Sequence, residues 1–260
     1  MKDYILGYSD VGYKSSFSGG TWNAALPITM LNNKMLTARA YSSTTNAVID
    51  ITVEDDDAVD LEAIGICKHN MTGGAYQIVC YSNALGGTIE YDSGSLPVGT
   101  PYEKLFTKTI VHATTSSLSF KYWRITLTDA GNTDGFIKVG RIFLGKRFSN
   151  ERNMGYGLTM ITQDKSSKIV SSDSGVETYI KNPVLRGAVF EMKLDNYTSG
   201  DEFSKLNIEN GLTESLLFEL DPDNIRGGLR SFIGRSSSLN PLQYPHFSIN
   251  EYSFSLIEII

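Results

Sequence analysis

From Ala47 onward, apolar and polar side chains alternate with a period of two. Ala47, Ile49, Ile51 and Val53 alternate with Val48, Asp50 and Thr52, which predicts a half-buried strand. Leu61–Cys67 is more continuously apolar and predicts a central strand covered on both faces. Ala75–Tyr81 and residues 88–91, 105–111, 120–127 and 136–144 continue the series. Within 120–127, Trp123, Ile125 and Leu127 share one face, opposite Arg124 and Thr126. Turn residues separate the runs: Gly86-Gly87, then Asp129-Ala130-Gly131-Asn132-Thr133-Asp134-Gly135, with Gly140 a candidate bulge. At least seven short strands and no helical period over three turns predict a β-sandwich or jelly roll for residues 1–147.

From Lys146 to Ser174 the chain turns polar and irregular, with one strand at 158–162. Phe190, Met192 and Leu194 restore alternation. Ser199-Gly200-Asp201-Glu202 matches a capping box, predicting a helix from Ser199 to about Asn210, with Gly211 in the left-handed position beyond its end. Leu216, Phe218 and Leu220 form another strand, Asp221-Pro222-Asp223-Asn224 a turn, and Tyr252, Phe254 and Leu256 a last strand after a break at Asn250-Glu251. The expected fold is mainly β: an N-terminal sandwich over 1–147 and a C-terminal sheet domain over 148–260 carrying one helix near 200–210.

A length of 260 residues suits two small domains with ordinary cores. The net charge of −6 argues against a nucleic-acid partner, which calls for a basic balance or a clustered basic face. Cys67 and Cys80 lie in apolar runs and read as reduced core residues. The N-terminus has no apolar segment of the secretory kind, and no stretch is long and apolar enough to insert into a membrane, so neither secretion nor insertion is expected.

Candidate chemistry is sparse. Of His69, His112 and His246, the first two end predicted strands, where a solvated imidazole is the ordinary outcome, and no G-x-S-x-G elbow exists. Cys67 lies two residues from His69, which on a strand would put both on one face, but two groups alone do not make a metal or thiolate site. Gly155-Tyr156-Gly157 lacks the third glycine and the strand–helix context of a dinucleotide loop. Asp129, Asn132 and Asp134 are the calcium candidates, weighed against a plain hairpin loop, while Glu54-Asp55-Asp56-Asp57 reads as a solvated edge. Arg226, Arg230 and Arg235, with Arg186, suit salt links between subunits or a solvated face. No catalytic residue and no cofactor is assigned.

Several ordered phrases resemble a family of tailed-bacteriophage tail-tip proteins. They are Ser18-Gly19-Gly20-Thr21-Trp22-Asn23-Ala24-Ala25-Leu26-Pro27-Ile28, then Thr37-Ala38-Arg39-Ala40-Tyr41-Ser42 and Tyr122-Trp123-Arg124-Ile125. Asp134-Gly135-Phe136-Ile137-Lys138-Val139-Gly140-Arg141-Ile142-Phe143-Leu144-Gly145 and Arg152-Asn153-Met154-Gly155-Tyr156-Gly157 follow. Leu217-Phe218-Glu219-Leu220-Asp221-Pro222-Asp223 and Leu242-Gln243-Tyr244-Pro245-His246-Phe247 complete the set. The resemblance implies a galactose-binding-like, discoidin-type jelly roll in a non-enzymatic virion protein. It would form a hexameric or trimeric ring joining the tail tube to the baseplate hub, located in the virion tail after synthesis in the host cytoplasm. An iron–sulfur cluster held by cysteines in the C-terminal half, found in one branch, is not carried over, because both cysteines lie in the first half. Trp22, Arg226 and Arg230 are the candidate interface residues, while Trp123 reads as core. The rival expectation is a carbohydrate-binding module attaching the virion to host-surface glycans.

Overall fold

The computed structural model describes residues 4–54, 61–98, 109–148, 158–170, 176–194, 197–220, 230–238, 243–246 and 249–259. Its first half contains β1 (Tyr4–Tyr8), β2 (Ser15–Ser18), β3 (Ala40–Tyr41), β4 (Asn46–Val53), β5 (Leu61–Cys67) and β6 (Ala75–Tyr81). These are followed by β7 (Ile89–Asp92), β8 (Leu96–Pro97), β9 (Thr109–Leu118), β10 (Tyr122–Thr128), β11 (Lys138–Val139) and β12 (Arg141–Phe148). The second half adds β13 (Thr159–Asp164), β14 (Ser167–Val170), β15 (Glu177–Ile180) and β16 (Val184–Leu194). The helix α1 (Tyr197–Asn210) precedes β17 (Leu216–Leu220), β18 (Ser231–Ser236), β19 (Gln243–His246) and β20 (Ile249–Glu258).

One sheet runs β2-β4-β10-β6-β7, with β8 on β6. Antiparallel register sets Trp123 beside Ile51 and Cys80, and Ile125 beside Ile49 and Ile78. Because opposite residues point to the same side, these chains make one apolar face. Ile64 and Ile66 of β5, Ile142 and Leu144 of β12 and Ile110 of β9 meet it from the facing sheet, closing the first core. This is the sandwich the alternation predicts.

The facing sheet does not stop at the sandwich. It continues through β9-β5-β12-β1-β17-β18-β20-β16-β13. β1 is the junction, with Leu6 opposite Phe148 on one side and Phe218 on the other. Its period of two feeds two cores. Leu6, Phe148, Phe218 and Phe232 join Phe190, Phe254 and the helix residues Phe203 and Leu206 in a second, aromatic core. Phe143, Leu217 and Ile233 point the other way and pack with Ala63 and Cys67 in a third, smaller cluster. The sheet curls around that cluster until β9 touches β18. The curl leaves little space: a Cβ on Gly65 would lie 2.8 Å from Leu217 Cδ1, and one on Gly7 2.9 Å from Phe143 Cε1. β5 is thus covered on both faces, as its continuous apolar run predicts, with Ile64 and Ile66 on one side and Ala63 and Cys67 on the other.

Several expected boundaries shift. The helix begins at Tyr197, so Ser199 is a buried first-turn residue and not the cap, while Gly211 does take the left-handed conformation (φ 54°) and donates its N–H to Asn207 O at 2.9 Å. Asn250-Glu251 is no break: both lie inside β20, paired with Leu194 and Lys193. The 136–144 run is split at Gly140, where the chain leaves the small β3–β11 ladder and enters the long sheet. Two buried ion pairs brace the fold. Arg141 reaches Asp10, both side chains fully buried, and also donates to Ser215 Oγ at 2.9 Å. Arg186 and Glu258 join β16 to β20.

Candidate functional site

Loops at one end of the first sandwich hold most of the residues with chemical potential. Asn70 is their latch. Its amide donates to Asp134 Oδ2 (2.8 Å) and Phe136 O (2.9 Å), and its carbonyl accepts from Lys138 N (2.7 Å). The calcium candidates are engaged in the same network. Asp129, 2% exposed, accepts from Thr72 N at 2.7 Å; Asn132 Oδ1 accepts from Asp134 N at 3.0 Å; Asp134 is held by Asn70. Among the described residues no group of three His, Cys, Asp or Glu side chains is arranged to hold a metal ion.

Beside this latch Tyr41 and Phe136 stack, ring centroids 5.1 Å apart and planes within 15°. Lys138 Nζ stands 5.7 Å from the Tyr41 ring centroid. The β3–β11 ladder positions them: Ala40 and Val139 are buried, so their neighbours Tyr41 and Lys138 face outward. The sequence offers Tyr41 and Phe136 only as members of strands. Their pairing depends on a ladder spanning about a hundred residues, which local pattern does not reveal.

Of the two histidines expected to be solvated, His69 is buried and His112 is half-buried. His69 is 7% exposed, and its Nδ1 accepts from Met71 N at 3.2 Å. It does not share a strand face with Cys67, because β5 ends at Cys67 and Lys68 turns left-handed (φ 55°), breaking the alternation. Cys67 is buried and its thiol is pushed up to about 12, chiefly by burial, which leaves it protonated and unreactive. His112 lies within β9, its Nε2 2.6 Å from the Tyr91 hydroxyl and its ring edge-on to Tyr76. Burial holds it below the ordinary imidazole value, so it is neutral near pH 7.

Of the proposed interface residues, Trp22 is half-buried against the first core, donating its indole N–H to Gly19 O at 2.8 Å. Arg230 is exposed at the start of β18, and Arg226 lies outside the described residues, as do Gly155-Tyr156-Gly157 and the Asp221–Asn224 turn. Arg186 belongs to no surface patch: it is 3% exposed and bound to Glu258.

The exposed apolar surface is elsewhere. β14 and β15 form a separate two-stranded arm, every residue of which is exposed. Ile169 and Ile180 lie on one face of it, Val170 and Tyr179 on the other. Val176 lies between the two strands, immediately before β15, and Lys168 and Glu177 pair across the arm. Nothing in the local sequence separates these apolar residues from core residues; what distinguishes them is that, among the described residues, no second layer covers the ladder.

No family model matches the chain, and no curated protein matches it. Among solved structures the chain is similar to the family 32 CBM from C. perfringens NanJ, in complex with galactose. The identity is 13% over 55% of this chain and 100% of that one, with a TM-score of 0.41. It is similar also to CBM32-1 from a family 31 glycoside hydrolase of Clostridium perfringens (15% identity, 54% of this chain, 99% of that one, TM-score 0.40). A third is chitosan-binding module 1 from a chitosanase/glucanase of Paenibacillus sp. IK-5 (12% identity, 54% and 100%, TM-score 0.38).

Proposed function

We infer that the chain is a non-catalytic structural subunit that associates with copies of itself through the β14–β15 arm. The observation that carries this reading is the arm's exposure: Ile169 53%, Val170 54%, Val176 59%, Tyr179 68% and Ile180 45%. A two-stranded hairpin is at best marginally stable alone in water, and a contiguous apolar patch marks a contact surface. Apolar residues on both faces call for a partner that clasps the arm. A contact between an arm and a different surface of the next copy repeats head to tail, and closes as a ring when the rotation permits. The resemblance to tail-tip proteins gives that ring its setting, between tail tube and hub. Mass photometry and light scattering test it: the wild type forms a closed trimer or hexamer, and Ile169→Asp with Tyr179→Asp releases monomers that melt at the wild-type temperature. A wild type that stays monomeric at tens of micromolar overturns it.

A second reading has its own observation. The stacked Tyr41–Phe136 pair with Lys138 alongside is a partly exposed aromatic surface beside hydrogen-bonding groups, the combination a saccharide ring takes. In this reading the first sandwich recognises a glycan on the host surface. Binding on a glycan array that disappears in Tyr41→Ala and Phe136→Ala supports it, whatever the oligomeric state.

A further inference from the structure

Among the described residues the two large sheets end at four strands, and three of those ends are covered or blunted. The 3-10 turn Ile28–Asn32 lies along β2, and its Asn32 Nδ2 donates to Ser15 O at 2.8 Å. β7 carries Glu90 and Asp92 and pairs irregularly with β6. β9 is irregular against β5 and meets β18 across the curl. β13 has none of these devices. It pairs with β16 in regular steps from Thr159–Val189 to Asp164–Val184, contains no lysine or proline, and bears its single charge, Asp164, at its end. A sheet's last strand offers backbone N–H and C=O groups to another strand, and native proteins blunt such an edge where it is not used.

The edge continues into the arm. Between the last rung of β13–β16 and the nearest rung of β14–β15, Ser167–Ile180, residues 165–166 face residues 181–183. The extra residue falls on the β15–β16 side as a bulge. Asn182 bridges the gap, donating from Nδ2 to Lys165 O at 2.9 Å and from its backbone N–H to Ser166 Oγ at 3.1 Å. Residues 160–169 thus make one outer edge, exposed except at the half-buried Ile161, with Asp164 and Lys165 at its centre.

We propose that this edge pairs antiparallel with the same edge of a second copy, about a two-fold axis between Asp164 and Lys165. In that register Asp164 of each copy stands opposite the partner's Lys165, which puts one acid–base pair on each face of the joined sheet. Met160, 36% exposed, stands opposite the partner's Ile169, 53% exposed in the single chain. A slip of one residue in either direction sets Asp164 against Asp164 or Lys165 against Lys165, so the charges themselves fix the register. The contact is isologous and joins copies in pairs. It does not rest on the ring contact, which takes the faces of the arm; where both form, the edge joins two rings.

The test is a charge exchange in the full chain, read by sedimentation velocity. An edge contact is small, so the measurement is made at about 100 μM, above the concentrations at which the ring is assayed. Asp164→Lys alone and Lys165→Glu alone each replace two attractive pairs by two repulsive ones and raise the dissociation constant about tenfold or more. The particle mass then falls by half, from paired rings to single rings, or from dimer to monomer if the ring contact is wrong. Asp164→Lys combined with Lys165→Glu restores the wild-type mass, which separates lost pairing from any local effect of losing the Asp164 carboxylate. An equimolar mixture of the two single variants also restores it, because each then meets the opposite charge in the other. A wild type in which no mass is halved by either single variant overturns the proposal. So does a mixture that stays at the halved mass, since that contact would not be two-fold through these residues.

Discussion

Arg186 holds Glu258 in a two-point grip, Nη2 to Oε1 at 2.6 Å and Nε to Oε2 at 2.9 Å, and its own backbone N–H adds a third bond at 3.1 Å. Their side chains are 4% and 2% exposed. The pair ties β16 to the end of β20, and Arg186 lies 5.5 Å from the Phe232 ring centroid, over the second core. A buried pair adds little over an apolar replacement, but a half-removed pair leaves a charge stranded in the interior. Glu258→Gln and Arg186→Met are each expected to cost about 3–5 kcal/mol of unfolding free energy, whereas Arg186→Met with Glu258→Leu recovers most of it. Urea titration of the three variants measures this, and an additive double variant would contradict it.

The curl of the long sheet makes a second prediction. Gly65 faces Leu217 across the third cluster, and an added methyl would lie 2.8 Å from Leu217 Cδ1 and 3.1 Å from Phe143 Cβ. Gly65→Ala is expected to destabilise by about 1–3 kcal/mol through overpacking, not through backbone strain. Adding Leu217→Ala creates the missing space, so the double variant should be less destabilised than the sum of the singles. Full additivity in denaturant titrations would show that the sheet relaxes instead.

How much of this was legible in the sequence differs by residue. Trp123, Ile125 and Leu127 announce their shared face because one side of β10 is core and the other is not, and the structure buries all three completely. β1 gives no such signal. Its five residues are all buried, so Tyr4–Tyr8 shows no alternation, and its role in joining two cores depends on partners at Phe148 and Phe218. Asp10 and Arg141 are legible only as anomalies. A charge in the apolar strand Arg141–Phe148 hints at a buried partner, but that partner is 131 residues away. The stacked Tyr41–Phe136 pair was hidden for the same reason, and the exposed arm because strand pattern reveals the ladder and not whether a second layer covers it.

Neither cysteine should react while the protein is folded. Cys67 and Cys80 are both buried, and burial pushes each thiol up to about 12. At pH 8 the thiolate that attacks an alkylating reagent is therefore scarce as well as shielded. Iodoacetamide is expected to leave both unmodified in native protein over hours and to label both in urea, read by intact mass. Rapid labelling of either in the native state would contradict the burial of that strand.

His112 sets a pH dependence whose sign follows from its surroundings. Burial holds its folded-state value below the ordinary 6.5, and the Tyr91 hydroxyl and the Tyr76 ring pack against it. In the unfolded chain the imidazole takes up a proton as pH falls through 6.5, while in the folded chain it resists until lower pH. Protons therefore favour the unfolded state in that window, and the histidine's contribution to stability, complete above pH 6.5, declines as pH drops through the folded-state value. His112→Gln, which can still bond the Tyr91 hydroxyl but does not titrate, should flatten the curve below pH 6.5 relative to wild type. Parallel curves for the two proteins, measured by denaturant titration at constant ionic strength, would mean that His112 accepts its proton without resistance and that the Tyr91 contact does not confine it.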